Sequence, residues 1–305
     1  MLYLHILVVL IIVYLVFYRF IRKLILVSKK QHISTIADFI SARYGKRQIV
    51  ALLVTIIALL ATIPYIALQL KAIGSLFTSI SEQQHSSMVV FIATVFIAIF
   101  AMYFGTKNTD VTEYRRGLML AISFESCIKL LALVLVAIVA YQYYESNPSN
   151  DIFVDFKTDA AIDTFYSFTF WAQTLMAAAA VICLPRQFHV AVVDNLNLDH
   201  LKQARWVFPL YLFIIACTIP VIAAAGDAIF SQSNMNADNY VLGLAVLSDS
   251  LLLEMIVFIG GLSAATAMII VATLTLSTMI TNDVVLPKVL KRISNVKTNK
   301  IKRIK

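Results

Sequence analysis

The sequence predicts an all-α membrane protein with about seven transmembrane helices, and composition and apolar patterning both lead to this prediction. Hydrophobic residues make up 60% of the chain and charged residues 14%, and the mean hydropathy is +0.85. These values exclude an ordinary soluble domain. The apolar residues form stretches long enough to cross a hydrocarbon core of about 30 Å, which takes roughly 20 helical residues.

The distribution of basic residues predicts which side of the membrane each loop occupies. Of the 25 Lys and Arg residues, all but Lys71, Lys129 and Lys157 fall into four clusters. Because basic residues collect on the cytoplasmic side of membrane proteins, we expect the clusters there and the acidic loop 143–164 outside. The net charge of +8 then reflects topology and anionic lipid, not nucleic-acid binding. The clusters lie at 19–47, 107–116, 186–205 and 288–305.

Seven apolar stretches between and around the clusters define the predicted spans. The first runs inward, because basic residues follow it, and the last leads to a cytoplasmic tail at 288–305. The N-terminus is therefore predicted outside, yet the chain starts almost directly with apolar sequence. We expect that one or more spans precede residue 1 and that the chain is a piece of a longer protein. The spans cover about 2–18, 48–80, 88–104, 117–142, 166–184, 207–225 and 250–282.

Several local features are predicted within this plan. Thr35 is placed to cap a short helix that reaches residue 44 within the first basic loop. Pro64 is expected to kink the second span, and Pro185 follows the end of the fifth. The acids of loop 143–164 recur every four residues, which suits either a solvated helix face or a funnel for cations. The three cysteines lie inside apolar spans and are interpreted as small core residues: Cys127, Cys183 and Cys217.

Ionisable and amide side chains inside the spans are the candidates for function, because burying them in a membrane is costly. Glu125 and Lys129 are four residues apart on one face of the fourth span. They are either a neutralising pair that fixes helix packing or a gate or proton-linked carboxylate beside a solute path. Tyr65 and Gln69 in the second span and Gln173 in the fifth are the other solute-path candidates, since such groups need a partner or a ligand.

No catalytic motif accompanies these residues. The sequence contains no hydrolytic triad, phosphate-binding loop or cofactor fingerprint. The five histidines and three cysteines form no metal-binding pair on a helical face. We therefore expect a protein that is not an enzyme and that carries no cofactor or metal.

Several motifs resemble the sodium/solute symporter family. The stretch from Thr35 to Ile40 (TIADFI) with Arg43-Tyr44-Gly45 is similar to the loop after an early core helix of that family. The stretch from Pro64 to Lys71 (PYIALQLK) resembles its next span, and the stretch from Gly260 to Asp283 resembles its eighth core helix. The stretch from Leu184 to Val190 (LPRQFHV), with Ala204-Arg205-Trp206, resembles the branch that is fused to bacterial sensor histidine kinases.

The resemblance implies part of a LeuT-type inverted-repeat transporter fold, with a solute site near mid-membrane. On this basis, residues 1–287 are an incomplete symporter-like transmembrane domain that lacks at least the first core helix. Residues 288–305 are a basic cytoplasmic tail. The implied location is the bacterial inner membrane, with the N-terminus outside and the C-terminus in the cytoplasm.

The resemblance also implies an ion site, and the chain departs from the family there. Sodium-coupled members use two adjacent hydroxyl side chains on the eighth core helix, and the matching positions are Ala267 and Met268. Neither side chain supplies the oxygen that a hard cation prefers, although Ala264 offers a backbone carbonyl. The coupling ion, sodium or proton, is therefore open.

Two functions fit this sequence. The first is transmembrane transport of a small, amino-acid-like organic solute. The second is a solute-sensing input domain of a two-component sensor histidine kinase, with the kinase domain outside this chain. Lipid bilayer and a small organic solute are the partners in both cases, and a histidine kinase domain is a partner only in the second.

Overall fold

A computed structural model of the chain describes residues 17–81, 86–106, 115–146, 166–195, 197–230 and 235–291. These residues are nearly all helical. The first predicted span and most of the acidic loop lie outside the described residues. The helices are α1 (Tyr18–Lys30), α2 (Ile36–Arg43), α3 (Gln48–Ser81), α4 (Ser86–Thr106), α5 (Arg115–Ser146), α6 (Phe168–Cys183), α7 (Pro185–Phe188), α8 (Leu198–Phe230), α9 (Tyr240–Leu247) and α10 (Leu251–Ile280).

In the part of the chain that the structure describes, two short π-helical segments and one 3-10 turn accompany these helices. The π-helix His189–Val193 continues α7, and the π-helix Thr281–Val285 continues α10. The 3-10 turn Ala237–Asn239 leads into α9. A π-turn inserts one extra residue and is frequent at functional sites. The first π-helix begins three residues after Arg186, and the second contains Asp283.

Helices α3 and α10 pack antiparallel along most of their length. Thr55 contacts Asp283 and Tyr65 contacts Met268. Further along, the Phe77 and Phe258 rings meet edge-on, with centroids 5.1 Å apart. Residue numbers thus rise on one helix as they fall on the other.

Helix α10 also packs against α5, where small residues allow close approach. A Cβ added at Gly260 would lie 3.3 Å from the Ala132 Cβ, and one at Gly261 would lie 3.0 Å from a Leu76 methyl group. These glycines place α10 between α5 and α3. This arrangement suits membrane helices, which use small residues to bring backbones together.

The outer surface of the helices is apolar, as expected for a protein that lies in lipid. Leu60 on α3, Phe96 on α4 and Leu120 on α5 are about 70% exposed. Among the described residues, four helices are long and apolar enough to cross a membrane, and the bent pair of α6 with α7 and its π-helix makes a fifth if it is one span. The four cover Gln48–Thr78, Met119–Tyr143, Leu198–Phe230 and Leu251–Lys291.

The predicted cap at Thr35 is confirmed. Its side chain accepts a hydrogen bond from the Asp38 backbone N–H at 3.0 Å, and α2 runs from Ile36 to Arg43. The region 19–47 is more helical than a loop, because α1 fills Tyr18–Lys30. Pro64 lies inside α3, which is helical from Gln48 to Ser81 without interruption.

Two sequence-based interpretations are wrong in detail. The cysteines are not core residues, because Cys127, Cys183 and Cys217 are all exposed on their helices. The helix of the sixth span starts earlier than residue 207, since α8 begins at Leu198. A bend of 52° separates α6 from Pro185–Val193, and the two form either one broken span or a re-entrant loop, so the end of the fifth span near residue 184 stays a prediction.

The end of α8 is fixed by a close contact with α9. The Gly226 backbone touches the Tyr240 ring, and the space that a side chain at Gly226 would need is already filled by that ring. The Tyr240 hydroxyl donates a hydrogen bond of 2.9 Å to Asp227. This bond raises the pKa of Tyr240, since the neutral phenol is the donor.

Candidate functional site

The break in the fifth span is the most unusual local structure among the described helices. Helix α6 ends at Cys183, Leu184 is extended, and Pro185 starts α7 at a position where proline is tolerated. The proline has no N–H to donate, so the helical hydrogen-bond ladder is interrupted here. The residue after this proline, Arg186, makes the contacts that define the site.

Arg186 reaches the central turns of two other helices. Its Nη1 donates to the Tyr65 hydroxyl on α3 at 2.7 Å and lies 2.6 Å from the Met268 sulfur on α10. Its guanidinium also lies over the Tyr65 ring, 4.9 Å from the centroid. The Tyr65 hydroxyl in turn donates to the Met268 sulfur at 2.7 Å. We call Tyr65, Arg186 and Met268 the arginine triad.

The sequence identified Tyr65 and Met268 but not Arg186. Counting basic residues assigned Arg186 to a cytoplasmic cluster, whereas its guanidinium lies against the middle of α3 and α10. The available signal is the Pro185-Arg186 pair at the end of an apolar stretch, where the chain bends and continues as helix.

Glu125 and Lys129 form the pair that their spacing predicts. The Lys129 Nζ lies 4.0 Å from the Glu125 Oε1, and both side chains are largely buried, at 24% and 14% exposed. Lys129 also experiences the positive charge of Arg186. The pair therefore belongs to the same electrostatic environment as the arginine triad.

The remaining predicted site residues are distributed around this centre. Gln69, one turn beyond Tyr65 on α3, is half-buried, and so are Ala264 and Ala267 on α10. Gln173 is exposed on α6, so the described helices do not bring it to the triad. The Ala267 and Met268 positions present a methyl group and a sulfur, and the sulfur contacts Arg186.

A second polar network lies at the C-terminal end of α10. Asp283 is 5% exposed and accepts a 2.6 Å hydrogen bond from the Thr55 hydroxyl. The neighbouring Asn282 donates to the Ser34 hydroxyl at 2.9 Å, and Ser34 donates to Asp38 at 2.6 Å. This network ties the end of α10 to α3 and to the turn before α2.

One cavity borders this network, and another lies beside α7. One of about 320 Å³ is bordered by Asp38, Asp283 and Asn282. The other, of about 250 Å³, is mostly apolar and adjoins the second half of the broken span at Gln187 and Phe188. Both are large enough for water and small solutes.

The fold and these sites define an α-helical membrane protein with a polar centre at a helix break. No protein-family model matches the chain, and no solved structure matches it. Over 107 residues the chain is 30% identical to the uncharacterized symporter YodF of Bacillus subtilis (strain 168). The match covers 35% of this chain and 21% of that protein, so the matched segment is about a fifth of this relative's length.

This similarity agrees with the resemblance of the sequence motifs to symporters, and it supports a symporter-like membrane protein. The link to sensor histidine kinases, the LeuT-type fold and the number of seven spans stay predictions.

Proposed function

We propose that this chain is part of a secondary transporter that carries a small organic solute across a bacterial inner membrane. The observation that carries the proposal is the bent helix pair of α6 and α7, whose Arg186 contacts two continuous helices at their centres. Broken helices that expose polar groups near mid-membrane are the usual construction of transporter binding sites. An ionisable side chain inside a membrane is costly, so it is by default a candidate for a functional site.

The solute would bind at the arginine triad, with Glu125, Lys129 and Gln69 nearby. The side chains of the triad extend from α3, α7 and α10, so a solute between them would contact several helices at once. Such a position allows small relative movements of the helices to open the site first to one side and then to the other. The network of Thr55, Asp283, Asn282 and Ser34 would then close one end of the path.

Sodium is not expected to bind at the positions that the family resemblance implies. Ala267 and Met268 lack oxygen ligands, and the guanidinium of Arg186 already lies against Met268. Two unit charges 4 Å apart repel each other by about 4 kcal/mol at an effective dielectric constant of 20. The fixed charge of Arg186 therefore opposes a metal cation at this place.

Uptake by the intact protein in proteoliposomes tests this proposal. A panel of radiolabelled amino acids, organic acids and sugars is offered, with choline replacing sodium at constant ionic strength and with pH varied separately. We expect uptake of at least one solute, and we expect the sodium replacement to change it by less than about threefold, which is under about 0.7 kcal/mol of coupling.

Two outcomes would contradict the proposal in different ways. A tenfold or greater loss of uptake without sodium would mean that other oxygens bind the ion. Saturable binding of a solute without any uptake would favour the sensing role for the chain instead of transport.

A further inference from the structure

The arginine triad carries a positive charge that its neighbours do not neutralise. Arg186 contacts a tyrosine hydroxyl, a tyrosine ring and a methionine sulfur, all of which are neutral. Among the described residues, no carboxylate forms an ion pair with it; the pairs there are Glu125 with Lys129, His189 with Asp194 and Asp199 with Lys202. A guanidinium is a cation with N–H donors and no acceptor atom.

The nearby pair of Glu125 and Lys129 does not neutralise the positive charge of Arg186. Glu125 is matched by Lys129 on the same helix, so that pair has no net charge when both are ionised. Lys129 and Arg186 repel each other across the site. The described part of the centre therefore has one more cation than anions.

The chemistry of these groups favours one type of ligand. A guanidinium presents five N–H donors in a planar fork that matches the two oxygens of a carboxylate. Nη1 already contacts Tyr65 and Met268, and the fork has further donors on its other nitrogens. The Tyr65 hydroxyl donates to a sulfur, which is a weak acceptor. A carboxylate oxygen would be a stronger acceptor for the same hydroxyl.

We propose that the solute carried by this protein bears a carboxylate and that Arg186 and the Tyr65 hydroxyl bind it. This inference depends on the proposed transport function and narrows its substrate to carboxylic acids, including amino acids. The carboxylate neutralises the excess charge and replaces Met268 as the acceptor of the Tyr65 hydroxyl. Lys129 is kept neutralised by Glu125 and stays outside the contact.

The test measures thermal unfolding of the purified full chain in detergent with defined compounds. The panel contains the proteinogenic amino acids and small mono- and dicarboxylic acids, each beside its amide. We expect at least one acid to raise the unfolding midpoint and its amide to bind at least about tenfold more weakly, because the charge-assisted contact is lost. Arg186→Gln should remove the stabilisation by the acid, and Arg186→Lys should retain part of it.

Arg205 provides a matched control for the loss of an arginine. Its guanidinium also lies over a tyrosine ring, that of Tyr18, at 5.1 Å from the centroid. Arg205→Gln removes the same charge and the same type of ring contact away from the triad, so it should change acid binding by less than about twofold. Tyr65→Phe keeps the ring and removes only the hydroxyl, and it should weaken acid binding by about three- to tenfold.

The outcomes separate this inference from the function on which it rests. The inference is overturned if no acid in the panel stabilises the chain, if amides act as well as acids, or if Arg186→Gln binds the acid normally. Uptake of a neutral solute would contradict the proposed carboxylate specificity but not the proposed transport function. Binding of an acid through Arg186 with no uptake would overturn transport and leave the carboxylate site standing.

Discussion

At the scale of single residues, Glu125 and Lys129 show how spacing translates into a contact inside the membrane. Placing Glu before Lys by four residues is the favourable helical order, and the two side chains are 4.0 Å apart. The charge of Arg186 acts on Lys129 as well. We expect the pair to stabilise packing near the arginine triad instead of taking part in transport itself.

This role predicts that removing one charge is worse than removing both. Glu125→Gln leaves Lys129 and Arg186 as neighbouring cations and should cost about 1–2 kcal/mol, less than for a fully buried pair because both side chains are partly exposed. Glu125→Gln combined with Lys129→Met should recover most of that loss. Unfolding midpoints and proteoliposome uptake of the single and double variants provide the measurement.

A proton-handling role for Glu125 would give a different pattern. A double variant that folds well but has lost the pH dependence of uptake would show that Glu125 carries the coupling proton. A double variant that is as unstable as Glu125→Gln would show that the pair does not act as a neutralising unit.

At the scale of helices, packing depends on a few positions without side chains. Gly226 is the sharpest case, because the Tyr240 ring occupies the place of any Cβ there. Gly117 on α5 is the opposite case, because no atom of the described residues lies within 4 Å of an added Cβ. The two glycines therefore form a natural comparison.

Gly226→Ala should destabilise the protein by about 1–3 kcal/mol, because either α9 or the Tyr240 ring must move. Gly117→Ala should be neutral or stabilise it by up to about 1 kcal/mol, because alanine is the better helix former. Unfolding midpoints of the two variants, measured side by side, check the expectation. Equal effects of the two substitutions would mean that α8 and α9 do not meet as described.

The helices themselves were largely predictable from sequence. Long apolar stretches predicted α3, α5, α8 and α10, and Thr35 predicted the start of α2 because a hydroxyl at that position satisfies a free backbone N–H. The short helix α9 was not predicted, since eight apolar residues have no clear periodicity. The predicted ends of a helix were displaced where the helix extends beyond its apolar stretch, as at the start of α8.

The site was less predictable than the helices, for a physical reason. Tyr65 and the pair of Glu125 and Lys129 could be found because polar groups in apolar spans are conspicuous. Arg186 was missed because a basic residue next to a loop normally marks the membrane surface. The contacts of its long side chain with Tyr65 and Met268 depend on tertiary packing, which a linear pattern does not contain.

At the scale of the whole molecule, α10 is the helix against which α3 and α5 pack. Helix α3 packs antiparallel to it, and α5 meets it at Gly260. The polar centre lies where these helices pass the break in the fifth span, and a second polar network fixes the end of α10. We propose that a solute reaches that centre from both sides of the membrane in turn.

Accessibility of a cysteine at Gln69 tests that claim most directly. Gln69 is half-buried one turn from Tyr65. The three exposed native cysteines can first be replaced by serine with little expected cost. In oriented vesicles of this background, a membrane-impermeant thiol reagent should label Gln69→Cys from either side. A carboxylic acid that binds the protein should slow that labelling. Labelling from one side only, with or without the acid, would contradict alternating access and the proposed transport.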